Sequence, residues 1–309
     1  DELLNRFPAE WVHLQLPRVM TDREISGTVE VVSASFTGTA QPELRASLTG
    51  EFRLRQGYAL VGSDRTPVEN LAGTIFVEAD RIRVTEISGQ YGAMAVTGGK
   101  ATVAFLEAGP WLDLEVAGGM AAPDLASMLA GTVGPGKLAK ALSDLRNVQG
   151  KTAVTFRLAG SVSERDDLKF VSGEAVAQNV GFRSPLVHDP VAEMNGRFIF
   201  SPKIVELEGV SGRLGQSRLE VQGSIAIEAV PYFKDFRLRA SAEAGQIMKA
   251  FPAIKLPDKA LQGVIGAIVE LSGPTATPLI KAEVELKDAA LHFSESMQKP
   301  AGSPASLKV

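Results

Sequence analysis

Pro67-Val68-Glu69-Asn70-Leu71-Ala72-Gly73-Thr74-Ile75-Phe76-Val77, followed by Arg81-Ile82-Arg83-Val84-Thr85-Glu86-Ile87-Ser88-Gly89-Gln90-Tyr91-Gly92, is the stretch on which the fold turns. It recurs. Set against Pro190 to Gly215, an offset of 123 residues, it runs without a gap. Six of 26 positions are identical: Pro67, Val68, Gly73, Ser88, Gly89 and Gly92, matched by Pro190, Val191, Gly196, Ser211, Gly212 and Gly215. Eight more exchange one apolar residue for another, among them Ile75 with Phe198, Ile82 with Val205, Val84 with Leu207 and Ile87 with Val210. The apolar phase is therefore kept, as expected of a repeat architecture.

The same offset reaches backward, pairing Ile25 and Gly27 with Val148 and Gly150, and Gly50-Glu51 with Gly173-Glu174. A third copy opens at Leu261-Gln262-Gly263, opposite Val148-Gln149-Gly150, and keeps step to Gly273. The expected organisation is lead-in strands over 1–24 continuing from an upstream region, repeats over 25–147 and 148–260, a partial repeat over 261–293, and a polar tail or linker over 294–309. A start at Asp1, within polar sequence, is what an excised piece would show.

Inside a repeat the pattern has period two. Thr152 to Leu158, Arg81 to Thr85, Leu112 to Val116 and Phe236 to Ala240 alternate apolar with polar residues, the mark of strands with one dry face. Connections rich in Gly, Asn, Asp, Ser and Pro predict antiparallel meanders with tight turns. Six or seven strands per repeat are expected, about 4.8 Å apart. Helical spacing appears over Ala122 to Leu129, with a counterpart at Ile247, Ala250 and Phe251, and over Lys137 to Leu145. These predict short helices covering an end or edge of the sheet. The residues at 75–77 and 198–200 are apolar on both faces, so a helix or loop is expected over their outer side.

Composition narrows the function. The 309 residues carry 32 basic and 36 acidic side chains, a net charge of -4, which argues against a phosphate-backbone partner. At 45% hydrophobic residues the chain is too apolar to stay disordered. No apolar run approaches the roughly 18 residues that span a bilayer. Cysteine is absent, which excludes disulfides, thiolate metal sites and Cys nucleophiles, and is compatible with an oxidising compartment.

Catalytic patterns are missing. His188 stands in a turn where the preceding repeat has Arg65, and His13 and His292 alternate with apolar neighbours without a second ligand at metal spacing. Gly98-Gly99-Lys100 is followed by Ala101 rather than Ser or Thr, and Gly134-Pro135-Gly136 lacks a feeding strand, so both are expected as turn glycines. No Gly-x-Ser-x-Gly elbow occurs. Asp166-Asp167 and Glu206/Glu208 are expected on turns and polar strand faces. No enzyme, cofactor or metal is expected.

The core Pro67-Val68-x-x-Leu71-x-Gly73, then Ile82-x-Val84-x-x-Ile87-Ser88-Gly89-x-x-Gly92, then an apolar strand leading into Ala122-Pro123-Asp124-Leu125 and a short helix, resembles the AsmA-like family, in particular its YhdP/TamB-type bridge-like lipid transfer proteins of Gram-negative envelopes. The resemblance covers about 25–293. It implies a mainly β fold of repeated antiparallel β-groove units forming a long curved sheet, a β-taco with a few short helices. It also implies a periplasmic location, an inner-membrane anchor N-terminal to the repeats, and phospholipid acyl chains as cargo between inner and outer membrane. Ile82, Val84, Ile87, Val154, Phe156, Leu158, Val205, Leu207 and Val210 would then line the groove. The same alternation would also fill an ordinary sandwich or barrel. A non-catalytic β scaffold or outer-membrane assembly factor that binds envelope proteins therefore stands as the alternative function.

Overall fold

A computed structural model describes residues 24–36, 48–61, 65–78, 80–106, 109–132, 140, 142–161, 169–185, 189–228, 230–243, 261–294, 297–299, 302 and 306–308. The chain is mainly β, built on one antiparallel, unclosed sheet. The first repeat supplies β1 (Ser26–Phe36), β2 (Leu48–Val61), β3 (Thr66–Val77), β4 (Arg81–Tyr91), β5 (Met94–Leu106) and β6 (Gly109–Ala121), then helix α1 (Ala122–Thr132). The second supplies β7 (Arg146–Ser161), β8 (Lys169–Arg183), β9 (Val191–Phe200), β10 (Ile204–Leu214), β11 (Ser217–Ala226) and β12 (Tyr232–Glu243). The partial third contributes β13 (Leu261–Pro274) and β14 (Leu279–Ser294). Each strand bonds to its sequence neighbour, and β1 has β2 as its one partner among the described residues. The path through the described strands is open rather than closed into a barrel.

The 123-residue offset is kept in three dimensions. β4 and β10 coincide end for end at that offset, and β5 and β6 begin where β11 and β12 begin. Two short strands, β15 (Met297–Lys299) and β16 (Ser306–Lys308), pair with β14 in the segment expected as a tail. Of the expected helices, α1 is present. Residues 140, 142 and 143 are helical, the amide of Asp144 donating to the Lys140 carbonyl at 2.8 Å. The counterpart at 247–251 lies outside the described residues, as do Gly134 to Gly136, His13, His188 and Asp166-Asp167. His292 lies on β14, opposite Gln298.

Two compact units divide the chain, Asp1–Gly119 with Thr155–Val171 and Met120–Val154 with Ser172–Val309. In each, apolar residues line up across neighbouring strands on one face, with charged residues on the other. In the first unit the directly opposed residues Val31, Phe52, Ile75, Val84, Ala101 and Leu114 cross six strands without a polar side chain. The neighbouring row on the other face reads Glu30, Arg53, Thr74, Thr85. In the second unit Val210, Val221, Leu238, Val269 and Ala282 form an apolar row of their own.

Ion pairs tie the polar face together. Arg157 donates twice to Asp113, at 3.0 and 2.7 Å, and Arg197 reaches Glu174 at 2.7 Å and Glu208 at 3.0 Å. Hydrogen bonds from these guanidinium groups hold the carboxyls of Asp113 and Glu174 below their ordinary values. Their stabilisation is therefore full above the unfolded carboxylate range and fades as pH falls through the lowered folded values. The melting temperature should decline as pH drops below about 4.5. Arg157→Gln should flatten part of that decline in a melting series at low ionic strength, and because these pairs are exposed the effect should be small and salt-screened.

On the outer side of 75–77 the Arg83 guanidinium lies 5.4 Å from the centre of the Phe76 ring, on the polar face. A cation over an aromatic face shields the ring as a covering element would. Ile199 on β9 stands opposite Glu174 and Glu206. Glu206 and Glu208 are on the polar side of β10, as expected. Gly98 and Gly99 are not turn residues: both lie inside β5, beside a shift in its pairing with β6.

Candidate functional site

The strands bend. Gln56 on β2, Asn70 on β3 and Glu86 on β4 adopt positive φ of 52°, 51° and 57°, and each adjoins an irregularity in strand pairing. The same offset gives Asn179 (51°), Glu193 (53°) and Gly209 (56°) in β8, β9 and β10. One left-handed residue inside a strand makes a bulge: it adds a residue, bends the strand and reverses the side-chain phase beyond it. The apolar face of β4 is accordingly Ile82, Val84, then Ile87 rather than residue 86. That of β10 is Val205, Leu207, then Val210.

The bend folds toward the apolar side. Gln56, Asn70, Glu86, Asn179, Glu193 and Gly209 are all exposed, whereas Val210 and Val180, directly beyond the bend, are each 5% exposed. A polar residue suits this position, since it faces water and, for Asn, tolerates the left-handed conformation. Because Gly209 occupies the site of Glu86, Glu86→Gly should be neutral or stabilising by up to about 1 kcal/mol, while Glu86→Val should cost about 2 kcal/mol. Urea unfolding of the two variants checks this.

The nine residues expected to line a groove all sit on the apolar faces. Ile82 opposes Val77 and Val103, and Val84 opposes Ile75 and Ala101. A Cβ at Gly99 would lie 3.2 Å from the Ile87 Cβ and 3.2 Å from Val116, which places Ile87 on the same face. Val205 opposes Phe200 and Ile225, Leu207 opposes Phe198 and Gly223, and Val210 opposes Val221. Val154, Phe156 and Leu158 alternate along β7, with Arg157 between them on the polar face. Phe156 also meets Phe170 edge to face at 6.5 Å.

Sequence reading missed partners in these rows, notably Phe52, Leu114, Leu238 and Val269. Their signal was the same alternation, available once register is known.

The faces differ in what covers them. In the first unit Ile82, Val84, Ile75, Phe52 and Leu114 stay half-exposed, and Val31 at the β1 edge is 58% exposed. In the second, Ala122 at the start of α1 packs with Ala177 and Val180 against Val148, Phe182, Met194 and Phe198. Nearby, the Thr152 hydroxyl donates to the Met120 carbonyl at 3.1 Å, the one buried polar side chain among the described residues. Thr152→Val should cost about 1 kcal/mol by leaving that carbonyl without its partner, measurable by chemical denaturation.

No group of three or more potential metal ligands occurs among the described residues, and no described helix is long and apolar enough to cross a membrane. The described ion pairs lie in turns and on the polar strand faces. No family model, no curated protein and no solved structure matches this chain.

Proposed function

We propose that the chain is a segment of a bridge-like lipid transfer protein of the bacterial envelope, holding phospholipid acyl chains against the apolar faces of its bent strands. One observation carries the reading: a row of six strands, Val31 to Leu114, with no polar side chain and none of its residues fully buried. Water-soluble sheets bury such a face against a second layer. A two-tailed lipid has about 30 methylenes, each worth about 0.8 kcal/mol on burial, so passage through water costs roughly 20 kcal/mol. A surface that exchanges one apolar contact for the next removes that barrier, and it needs no catalytic residue. The periplasm, an inner-membrane anchor and an outer-membrane destination belong to the same proposal, through the resemblance to the AsmA-like family.

The scaffold reading is favoured at one place. Beside α1, the apolar face of β8 and β9 is covered by the chain itself. Mass spectrometry of an organic extract of the purified chain separates the two. Near-stoichiometric phospholipid supports lipid carriage; an extract without lipid, from a chain that unfolds cooperatively, supports the scaffold.

A further inference from the structure

The two repeats treat equivalent positions differently. Phe52 and Leu54 of β2 are large and half-exposed, while their counterparts at the 123-residue offset, Ala175 and Ala177 of β8, are small and each 5% exposed. Over Ala177 lies the first residue of α1, Ala122, so the apolar face here has been cut down to seat a helix. The seat is shallow. Of α1 itself, Ala122 and Leu125 are buried. An open-sided cavity of about 530 Å³ runs along another flank of the helix, between Ala126 and Ala130 on one side and Leu142, Leu145 and Val148 on the other. Eleven residues are too few for a helix to persist on its own in water, so α1 depends on this seat. Gly131 stands in its last turn and Gly134-Pro135-Gly136 follow it in the sequence, residues that do not extend a helix.

We infer that α1 is a displaceable cover over a second acyl-chain position, on β8 and β9, and that helix and acyl chain compete for the Ala177–Val180 surface. The inference rests on the lipid-carrying reading. Few buried contacts and an adjoining cavity are the conditions under which a segment opens locally without global unfolding. The occupant that displaces it must be apolar and slender, because the surface it leaves is lined by Ala177, Val180, Met194 and Phe198.

Hydrogen exchange on the whole chain, with and without oleate below its micellar concentration, tests this. Oleate should speed exchange of the α1 amides at least tenfold while β8 stays protected. Ala177→Leu, which brings in the residue of the first repeat, should speed α1 exchange without oleate and tighten oleate binding at least threefold. Leucine could disturb β8 itself, so Ala126→Gly with Ser127→Gly, which weakens the helix without touching the seat, should act in the same direction. Oleate bound with α1 exchange unchanged would overturn the cover and leave the lipid reading standing. No oleate bound by the parent or either variant would overturn both.

Discussion

A chain carrying Val84→Asp and Leu207→Asp should retain its fold and lose its lipid. The two positions are equivalent at the repeat offset and lie on the apolar faces of β4 and β10, opposite Ile75 and Phe198 respectively. Both side chains are half-exposed, so a carboxylate can keep water and the fold need not bury a charge. An acyl chain crossing that point must leave roughly three methylenes in contact with the hydrated carboxylate, about 2.4 kcal/mol, which is a loss of roughly fifty-fold in affinity. Thr85→Asp, one residue along on the polar face, should change lipid content less than twofold. Lipid-to-protein ratios in organic extracts, with circular dichroism as the check on folding, report all of these. Equal lipid in the parent and the double variant would remove the apolar faces from the account.

Gly196→Ala should be among the most destabilising single-methyl changes in the chain, and Gly73→Ala should not be. The two glycines are equivalent at the repeat offset, yet the structure separates them. Gly196 has φ +145°, and a Cβ there would lie 2.5 Å from the Val210 Cα, a backbone atom that cannot step aside. Gly73 has no such φ, and its nearest neighbour would be the Thr85 carbonyl oxygen at 3.1 Å. Strain and overpacking together should cost Gly196→Ala about 3–4 kcal/mol and lower the melting temperature by roughly 10 °C. Gly73→Ala should cost about 1 kcal/mol. Calorimetry of the pair decides it, and equal losses would mean that the β9–β10 bend is no tighter than the β3–β4 bend.

Much of this was legible in the sequence, for a physical reason. Alternation in Arg81 to Thr85 and Phe236 to Ala240 reports which side of a strand is dry, because side chains alternate across a sheet. The gap-free register from Pro67 to Gly92 carried that phase from repeat to repeat. The bends were legible too, but their signal was faint. Ile82, Val84 and Ile87 are spaced two and then three apart, as are Val205, Leu207 and Val210, and the extra residue is the left-handed one. Glu86 and Gly209 share a conformation without sharing chemistry, so neither alone announces a bulge. Gly98 and Gly99 misled in the opposite direction, because glycine marks a bulge inside a strand as readily as a turn. The seat of α1 was out of reach, since the exchange of Leu54 for Ala177 acquires meaning only when Ala122, the first residue of α1, is found packed with it.

Acyl chains that lie along the apolar face and follow it through the bend should touch the protein in a pattern set residue by residue. A photocrosslinking amino acid placed singly at residues 82 to 87 of β4, in purified chain incubated with phospholipid vesicles, reads that contact. Lipid adducts should form at 82, 84 and 87 and be absent at 83, 85 and 86, a period of two that slips by one at Glu86. Adducts spread evenly over the six positions would contradict it.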